Sequence, residues 1–584
     1  MAKLKPKHLL ELVFVADPAL SPDGTRAAAV HTSIVQPEQE DKPPHYKSNV
    51  YLYDLETGAE TQFTRSEYAD TSPRFSPNGS RLAFLSKREE EGKAQLYVMN
   101  IAGGEPEQLT DLESGVSSFV WQPKGSGLAF ISRGNWTDKV AKNKTARTVD
   151  RLHYKVNGVG FRPTEPAQVY LYSFKKTETE KLTSLKSDPS DLEFSADGKT
   201  LYFVASASIE DSDEWRANLY ALTLKSGKLK KLLPAPGHIA APSPSPDGKH
   251  IVFFASTDWD VFASANALWR VDAKGGEPER LGDMETPPGV GGDSRYGSYP
   301  NTVQWLNAAT LVLNVNRAGR SGLASFDLKT RDLTPLVEGD RAVTSFDAAN
   351  GRLLFTAEMP HQPGELFAWQ DGEERKLSAA NDTFTKRFKL AMPSEPVLLE
   401  TSVDTTLSYW TLSPTKPRKD GAVVLQVHGG PHTNYWYGFY LEFQILAAAG
   451  YRVVYGNPRG SSGYGNDYAT TLLTRYGTID ADDVLATVRH ATADRPDAPV
   501  HLTGGSYGGF MTNWLVSHTD LFRSAVTQRS ISNWLSFYGT SDIGYRFTEI
   551  EQGGNPWDDT TALWEQSPLK YVADVTTPLL ILHA

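Results

Sequence analysis

Gly504-Gly505-Ser506-Tyr507-Gly508 is the stretch that decides the fold of the second part of this chain. It follows an apolar strand pattern at residues 500–503 and precedes a helical pattern over residues 508–518. A serine between small residues at such a turn is held with its hydroxyl exposed above the sheet, where it can act as a nucleophile. The pattern therefore predicts that Ser506 is the nucleophile of a hydrolytic α/β domain. The alternative interpretation is a glycine-rich turn that carries an ordinary serine.

Strand and helix patterns alternate around this turn from residue 389 onward. The continuous apolar run at residues 422–427 is typical of a strand buried on both faces, as in a parallel sheet. Further strands are predicted at 451–455, 525–528 and 578–583, with helices near 442–449 and 480–493. The alternation predicts a doubly wound α/β-hydrolase sheet, and we assign residues 389–584 to this catalytic domain.

A second motif, His428-Gly429-Gly430-Pro431, directly follows the apolar run. Hydrolases of this class stabilise the oxyanion with two backbone N–H groups, one from the residue after the nucleophile and one from an HGG-type loop. We therefore expect Tyr507 and Gly430 to supply these donors, although a plain strand–loop turn would also explain the glycines. His428 is not expected to be the catalytic base, because the base follows the nucleophile in this fold.

The chain before residue 389 repeats a unit built from a turn and short strands. Proline presets φ in these turns, Asp or Asn tolerates the left-handed region, and glycine takes a positive φ. Clear copies of the turn are Ser21-Pro-Asp-Gly24, Ser76-Pro-Asn-Gly79, Gln122-Pro-Lys-Gly125, Ser195-Ala-Asp-Gly198 and Ser245-Pro-Asp-Gly248; degenerate copies are Trp305-Leu-Asn307 and Phe346-Asp-Ala-Ala-Asn-Gly351. Seven copies predict a seven-bladed β-propeller over residues 17–388, preceded by a short amphipathic helix in residues 1–16. The alternative is a stack of unrelated β domains.

Two further segments and one residue are predicted to have structural rather than catalytic roles. The basic and aromatic insertion at residues 134–166 is predicted to be a blade-edge loop, with substrate gating as the alternative. The glycine-rich segment 457–465 lacks the spacing of a phosphate-binding loop and is predicted to be a structured loop below the site. Asp480 is interpreted as a helix N-cap rather than as a catalytic acid.

Composition restricts the classes of function. With 584 residues the chain needs at least two cores, and its net charge of −11 argues against binding to nucleic acid or to an anionic membrane. The absence of cysteine excludes disulfides, thiolate metal sites and a cysteine nucleophile. The N-terminus does not match a signal peptide, because its apolar stretch is short and interrupted by Glu11. We expect a cytoplasmic protein without a metal or cofactor.

Together these motifs resemble the prolyl oligopeptidase family of serine peptidases, in particular its acylaminoacyl-peptidase branch. The resemblance rests on His428-Gly-Gly-Pro431, Asn457-Pro-Arg-Gly-Ser-Ser-Gly-Tyr-Gly465, Gly504-Gly-Ser-Tyr-Gly-Gly509 and the preceding propeller. It implies cleavage of short, possibly N-acylated peptides by a site that the propeller covers, and we expect a homo-oligomer. By similarity, Trp534, Tyr545 and Phe547 are candidates for an S1 pocket that favours an apolar P1 side chain; the alternative is core packing.

The resemblance also implies where the other two residues of the triad lie. The family places its acid just after a strand like residues 578–583 and its histidine further on, so both are expected beyond Ala584. The chain as printed is therefore expected to lack normal turnover. Two other functions remain open: an esterase with the same machinery, and a propeller binding protein with an inactive hydrolase domain.

Overall fold

The computed structural model describes most of the chain. The described residues are 3–37, 42–139, 146–149, 151–206, 215–256, 258, 261, 264–283, 296, 303–401, 405–558 and 560–583. Part of the insertion predicted at 134–166 therefore lies outside them. No helix among the described residues is both long and apolar enough to cross a membrane.

Seven four-stranded antiparallel blades form the first part of the described structure, as the repeated turns predict. Six blades consist of strands that are consecutive in the sequence, and in the third a short hairpin lies between the second and third strands. In blade order the strands are Val13–Leu20, Arg26–Val35, His45–Asp54 and Glu60–Gln62; Ala69–Phe75, Arg81–Lys87, Gln95–Asn100 and Glu107–Gln108; Ser118–Trp121, Gly127–Ser132, Gln168–Ser173 and Glu178–Lys181; Pro189–Phe194, Thr200–Ser206, Ala217–Thr223 and Lys228–Lys231; Ile239–Pro244, His250–Ser256, Asn266–Asp272 and Glu279–Asp283; Val303–Trp305, Thr310–Arg317, Arg320–Asp327 and Leu333–Val337; and Ala342–Ala349, Arg352–Met359, Gln362–Gln370 and Glu373–Lys376.

The recurring turn has a common hydrogen-bond pattern. In the first copy the Ser21 hydroxyl donates to Asp23 Oδ1 at 2.6 Å, and the same hydroxyl oxygen accepts from the Arg26 backbone N–H at 2.9 Å. The copy at Ser245 and Asp247 repeats both contacts, and its hydrogen bonds lower the pKa of Asp247 to about 2. The Ser-x-Asp-Gly pattern therefore recurs because it closes the turn between the first two strands of a blade.

A central channel of about 650 Å³ runs between the innermost strands of all seven blades. Among the described strands, none is shared between the first and last blades, so side chains and loops close the ring at their junction, which we call the seam. Asn381, which is buried, makes the central contacts of this seam. Its Oδ1 accepts from Val13 N at 3.0 Å, while its Nδ2 donates to Val13 O at 2.8 Å and to Gly364 O at 3.1 Å.

The second part of the chain contains a mixed sheet between helices. Its strands lie in the order Val397–Glu400, Thr406–Leu412, Arg452–Asn457, Val423–Val427, Val500–Gly505, Phe522–Gln528 and Leu579–Leu582. The first two strands pair antiparallel, and from Arg452–Asn457 onward neighbouring strands are parallel. The doubly wound sheet predicted from the alternating pattern is thus present, with Val423–Val427 at its centre and the strand that precedes Ser506 beside it.

The helical segments flank this sheet or connect it to the propeller. They are Pro6–Glu11 and Pro568–Asp574 (3₁₀), Thr548–Gln552 (π), and the α-helices Asp382–Arg387, Leu441–Ala448, Asn466–Thr470, Ile479–Ala491, Tyr507–Val516, Trp534–Thr540, Gly544–Phe547 and Thr560–Glu565. The N-terminal segment predicted to be an amphipathic helix is a 3₁₀-helix, with Pro6 at its first position. Flanking residues Leu4 and Leu12 pack with Phe384 and Phe439, which ties the start of the chain to the second part.

The insertion in the third blade reaches the hydrolase part. Its described residues include a short hairpin of Lys155–Val156 and Gly160–Phe161. Between these strands, Asn157 N donates to Asp542 Oδ2 at 2.7 Å. The insertion is thus a loop, as predicted, that also joins the two parts of the structure.

The seam contacts give a stability prediction. Asn381→Ala leaves the partly buried Val13 N–H and two carbonyl groups without their amide partner, and each unsatisfied group costs up to about 1–3 kcal/mol. We expect the variant to lose about 2–4 kcal/mol of unfolding free energy in urea denaturation. Asn100→Ala is the matched control, because Asn100 is exposed and its Oδ1 accepts from Ala102 N within its own turn. Equal midpoints for the two variants would contradict the assigned role of Asn381.

Candidate active site

Ser506 lies at a strained turn between strand Val500–Gly505 and helix Tyr507–Val516. Its backbone has φ +59° and ψ −119°, a conformation that L-residues rarely adopt and that occurs at functional sites. A Cβ at Gly508 would lie 2.1 Å from Val427 O, so glycine is required there. The side chain of Ser506 is exposed, as a nucleophile at the top of a sheet must be.

The HGG loop lies directly against this turn. A Cβ placed on Gly429 would be 3.4 Å from Ser506 Cβ and 4.0 Å from Ser506 Oγ. Gly430 has φ +115°, and a Cβ there would lie 2.3 Å from Thr433 Cγ2. Among the described residues, no acceptor receives the Gly430 N–H. The loop thus has the position and a free backbone donor expected for half of an oxyanion hole.

Tyr507 supplies the other expected donor. It is the first residue of its helix, so its backbone N–H has no acceptor within the helix. Its buried side chain is fixed by Asp480, whose Oδ2 accepts from the Tyr507 hydroxyl at 2.7 Å. The prediction that Asp480 is an N-cap is wrong. Thr478 occupies the cap position of helix Ile479–Ala491, and Asp480 lies in the first turn, facing the nucleophile helix.

Segment 457–465 supports the HGG loop from below, as predicted. Arg459 forms a bidentate ion pair with the buried Asp483, with N–O distances of 2.8 and 2.6 Å. Ser461 Oγ lies 3.0 Å from His428 Nε2, and His428 Nδ1 lies 2.6 Å from Gly429 O. Burial lowers the pKa of His428 to about 4, so this histidine is neutral near pH 7 and serves the loop's structure.

A cavity of about 530 Å³ opens at Ser506. Phe547 lines this cavity, together with Ile543 and the HGG loop. Trp534 is fully buried and stacks on Phe547, with ring centroids 5.9 Å apart. Tyr545 accepts a hydrogen bond from the propeller residue Trp215, Nε1 to Oη 3.0 Å. Of the three S1 candidates, the structure therefore brings Phe547 to the cavity, Trp534 behind it and Tyr545 to the contact between the two parts.

Comparison with known proteins agrees with this geometry. Residues 437–584 match the prolyl oligopeptidase family, and residues 12–155 match the TolB β-propeller domain. The uncharacterized peptidase YuxL of Bacillus subtilis is 37% identical over 591 residues, covering 98% of this chain and 89% of YuxL. The chain belongs to the prolyl oligopeptidase family. It is a serine peptidase by this membership and by the arrangement around Ser506.

Solved structures of the prolyl oligopeptidase fold resemble the chain over its whole length. The acylaminoacyl peptidase of Pyrococcus horikoshii superposes with a TM-score of 0.82 at 24% identity, covering 100% of this chain and 88% of that one. A puromycin-hydrolyzing peptidase of Mycobacterium tuberculosis gives a TM-score of 0.70 at 17% identity, with 100% and 87% covered. These similarities confirm the combination of a propeller with an α/β-hydrolase domain.

Sequence reasoning missed two residues beside the site. His432 follows the HGG-Pro motif directly, so its position was visible, but nothing in the sequence indicated its partner. That partner is Glu551, whose Oε2 lies 2.8 Å from His432 Nε2. Their 119-residue separation leaves no local signal that could have paired them.

Asp480 gives a prediction about pH. Burial raises its pKa from 3.8 to about 7, so the folded protein binds a proton that the unfolded chain has already released. The contribution of this group to stability therefore falls as pH rises from about 4 to about 7, and it is constant above that. Asp480→Asn cannot ionise and keeps an oxygen for the Tyr507 hydroxyl. We expect its unfolding free energy to fall less between pH 5 and pH 8 than that of the wild type.

The control for this experiment is Asp482→Asn, at an exposed position in the same helical turn. Denaturant unfolding at pH 5 and pH 8 measures the change in unfolding free energy between these pH values, and the control is expected to show the wild-type change. A wild-type change in Asp480→Asn would show that the pKa of Asp480 does not differ between the folded and unfolded states.

Proposed function

We propose that residues 389–584 form a catalytic domain that hydrolyses short peptides, including N-acylated ones, through an acyl-enzyme on Ser506. The observation that carries this proposal is the position of the HGG loop beside an exposed, strained serine, where a Cβ placed on Gly429 would lie 3.4 Å from Ser506 Cβ. A nucleophile and two backbone donors at one cavity are the parts that acyl transfer needs.

Each part has one step in the proposed reaction. Ser506 Oγ attacks the scissile carbonyl carbon, and its proton passes to a general base that follows the nucleophile in this fold. The carbonyl oxygen becomes an oxyanion and accepts hydrogen bonds from the Gly430 and Tyr507 N–H groups. The base returns the proton to the leaving amine, and water then hydrolyses the acyl-enzyme. One oxyanion donor of this kind contributes about 10²–10³ in rate.

The cavity wall supports an apolar P1 preference. Phe547 and Ile543 present apolar surface beside Ser506, and Trp534 stacks on Phe547 from behind. Acylamino-acid-releasing enzyme 1 of rice is 30% identical over 187 residues, 30% of this chain and 23% of that enzyme, and its name supports N-acylated substrates. The propeller contacts the hydrolase part beside the cavity, through Trp215 and Tyr545, which is consistent with selection for short peptides.

Two further parts of the proposal concern the whole protein. A cytoplasmic location is consistent with a chain that has no cysteine and so needs no oxidising compartment. A homo-oligomer is the expected assembly, and light scattering of the purified complete protein would measure it directly.

The central test removes the nucleophile from the complete protein. Ser506→Ala is expected to abolish labelling by a fluorophosphonate and to reduce hydrolysis of an N-acetyl-phenylalanyl anilide by at least about 10³-fold. Ser536→Ala, an exposed serine on the nearby helix Trp534–Thr540, is expected to behave as wild type. A wild type that does not label would favour a propeller binding protein, and a much higher kcat/KM for a short-chain ester would favour an esterase.

The S1 prediction has its own test. Phe547→Ala removes an aromatic wall of the cavity, and lost contact in a hydrophobic pocket is worth about 1–3 kcal/mol. We expect kcat/KM for the phenylalanyl anilide to fall about 10- to 100-fold, with a smaller change for the alanyl anilide. Trp557→Ala, at an aromatic residue that is 82% exposed, is the control. An equal loss for both anilides would assign Phe547 to core packing.

A further inference from the structure

A polar cluster adjoins the oxyanion loop and has no step in the reaction described above, although its His432 lines the cavity at Ser506. His432, two residues after Gly430, places Nδ1 at 3.0 Å from Gly460 O and Nε2 at 2.8 Å from Glu551 Oε2. Tyr476 donates its hydroxyl to the same Glu551 oxygen at 2.8 Å. The Glu551 side chain is fully buried, and that of His432 is 12% exposed.

The hydrogen bonds fix the orientation of the His432 ring. Gly460 O is a carbonyl and can only accept, so Nδ1 carries a hydrogen. Nε2 faces a carboxyl oxygen, and this contact is satisfied when one proton lies between Nε2 and Oε2. The ring is therefore held from both sides, by segment 457–465 on one side and by Glu551 on the other.

The backbone around Glu551 is shaped to hold this carboxylate in place. Glu551 lies in the π-helical turn Thr548–Gln552, and such turns are frequent at functional sites. Glu551 O accepts from Thr474 N at 2.7 Å, and Gly553 ends the turn with φ +74°. Glu551 Oε1 is buried and has no hydrogen-bond partner among the described residues, which costs stability.

The cluster contacts both halves of the oxyanion hole. On one side, His432 follows Gly430 by two residues in the same loop, so a displacement of the His432 backbone is passed to Gly430. On the other side, the Tyr476 ring packs edge-on against the Tyr507 ring, with centroids 5.8 Å apart. The two proposed donors thus rest on one network that ends at a buried carboxylate.

We propose that His432 and Glu551 are positioning residues that keep the Gly430 N–H within hydrogen-bonding distance of the oxyanion formed at Ser506. This inference rests on the proposed function, because it assigns the donor that these residues position. Oxyanion donors must lie about 2.7–3.1 Å from the developing oxyanion. A loosened loop therefore weakens binding of the transition state more than binding of the substrate, and the effect falls on kcat.

The test compares three variants of the complete protein: His432→Phe, Glu551→Leu and the double variant. Each single variant is expected to lower kcat for the N-acetyl-phenylalanyl anilide by about 10- to 100-fold and to change KM less than about threefold. The double variant is expected to lose no more than about the larger single loss, because both residues act through one contact. Fluorophosphonate labelling is expected to slow in parallel, since its phosphoryl oxygen occupies the same hole.

His490→Phe is the matched control. His490 forms a similar bond, Nδ1 to Tyr409 Oη 2.7 Å, on helix Ile479–Ala491 but at an exposed position. It is expected to keep the wild-type kcat. Melting temperatures and titration of labelled Ser506 separate a loss of folded sites from a loss of rate per site.

Tyr476→Phe covers the case in which Glu551→Leu does not fold. It removes one hydroxyl donor to Glu551 and keeps the ring against Tyr507, and we expect kcat to fall about three- to tenfold. Unchanged kcat per titrated site in His432→Phe or in Tyr476→Phe would overturn the inference. A wild type that neither labels nor hydrolyses the anilide would instead overturn the proposed function.

Discussion

The close approach of two backbone segments is the constraint on which the site depends. Strands Val423–Val427 and Val500–Gly505 are parallel neighbours, with Val427 paired to Gly504, so the loops that follow them leave the sheet side by side. The carbonyl of Val427 then occupies the space that a side chain at Gly508 would need. Because glycine permits this contact, the serine turn and the HGG loop can share one cavity, and the donors meet the nucleophile without any long side chain between them.

Buried polar groups then fix the positions of the segments that the backbone brings together around Ser506. Asp480 anchors the Tyr507 ring, Asp483 anchors segment 457–465 through Arg459, and Glu551 anchors His432. Each carboxylate is costly to bury, but in a medium of low dielectric constant its hydrogen bonds are also strong and directional. The proposed donors would then be in place before substrate arrives, which is the condition for electrostatic stabilisation of an oxyanion.

The sequence predicts well those features that depend on local chemistry. The propeller turns are recognisable because proline, Asp or Asn and glycine each satisfy a requirement within four residues, and the serine turn is recognisable for the same reason. The hydrogen-bond partners of buried side chains are harder to predict from the sequence. Asp480 has the residue type of a helix cap and lies close to the start of a helix, and only the packing of helix Tyr507–Val516 reveals that it faces Tyr507. Glu551 depends on a π-helical turn, for which the local sequence offers no signal.

The seam at Asn381 has a consequence for how the chain is made. Each blade is built from one continuous stretch of the chain, which in the third blade includes the insertion, so a blade can form as soon as its own residues have left the ribosome. The first blade, however, meets its second neighbour only after the seventh blade and the residues around Asn381 have been synthesised. Until then its innermost strand, Val13–Leu20, exposes an apolar flank that includes Val15 and Leu20, which later pack with Leu354 and Leu366. The nascent propeller is thus an open arc with one exposed apolar edge. During synthesis this edge is where chaperones would be needed and where wrong pairing with another nascent chain would begin.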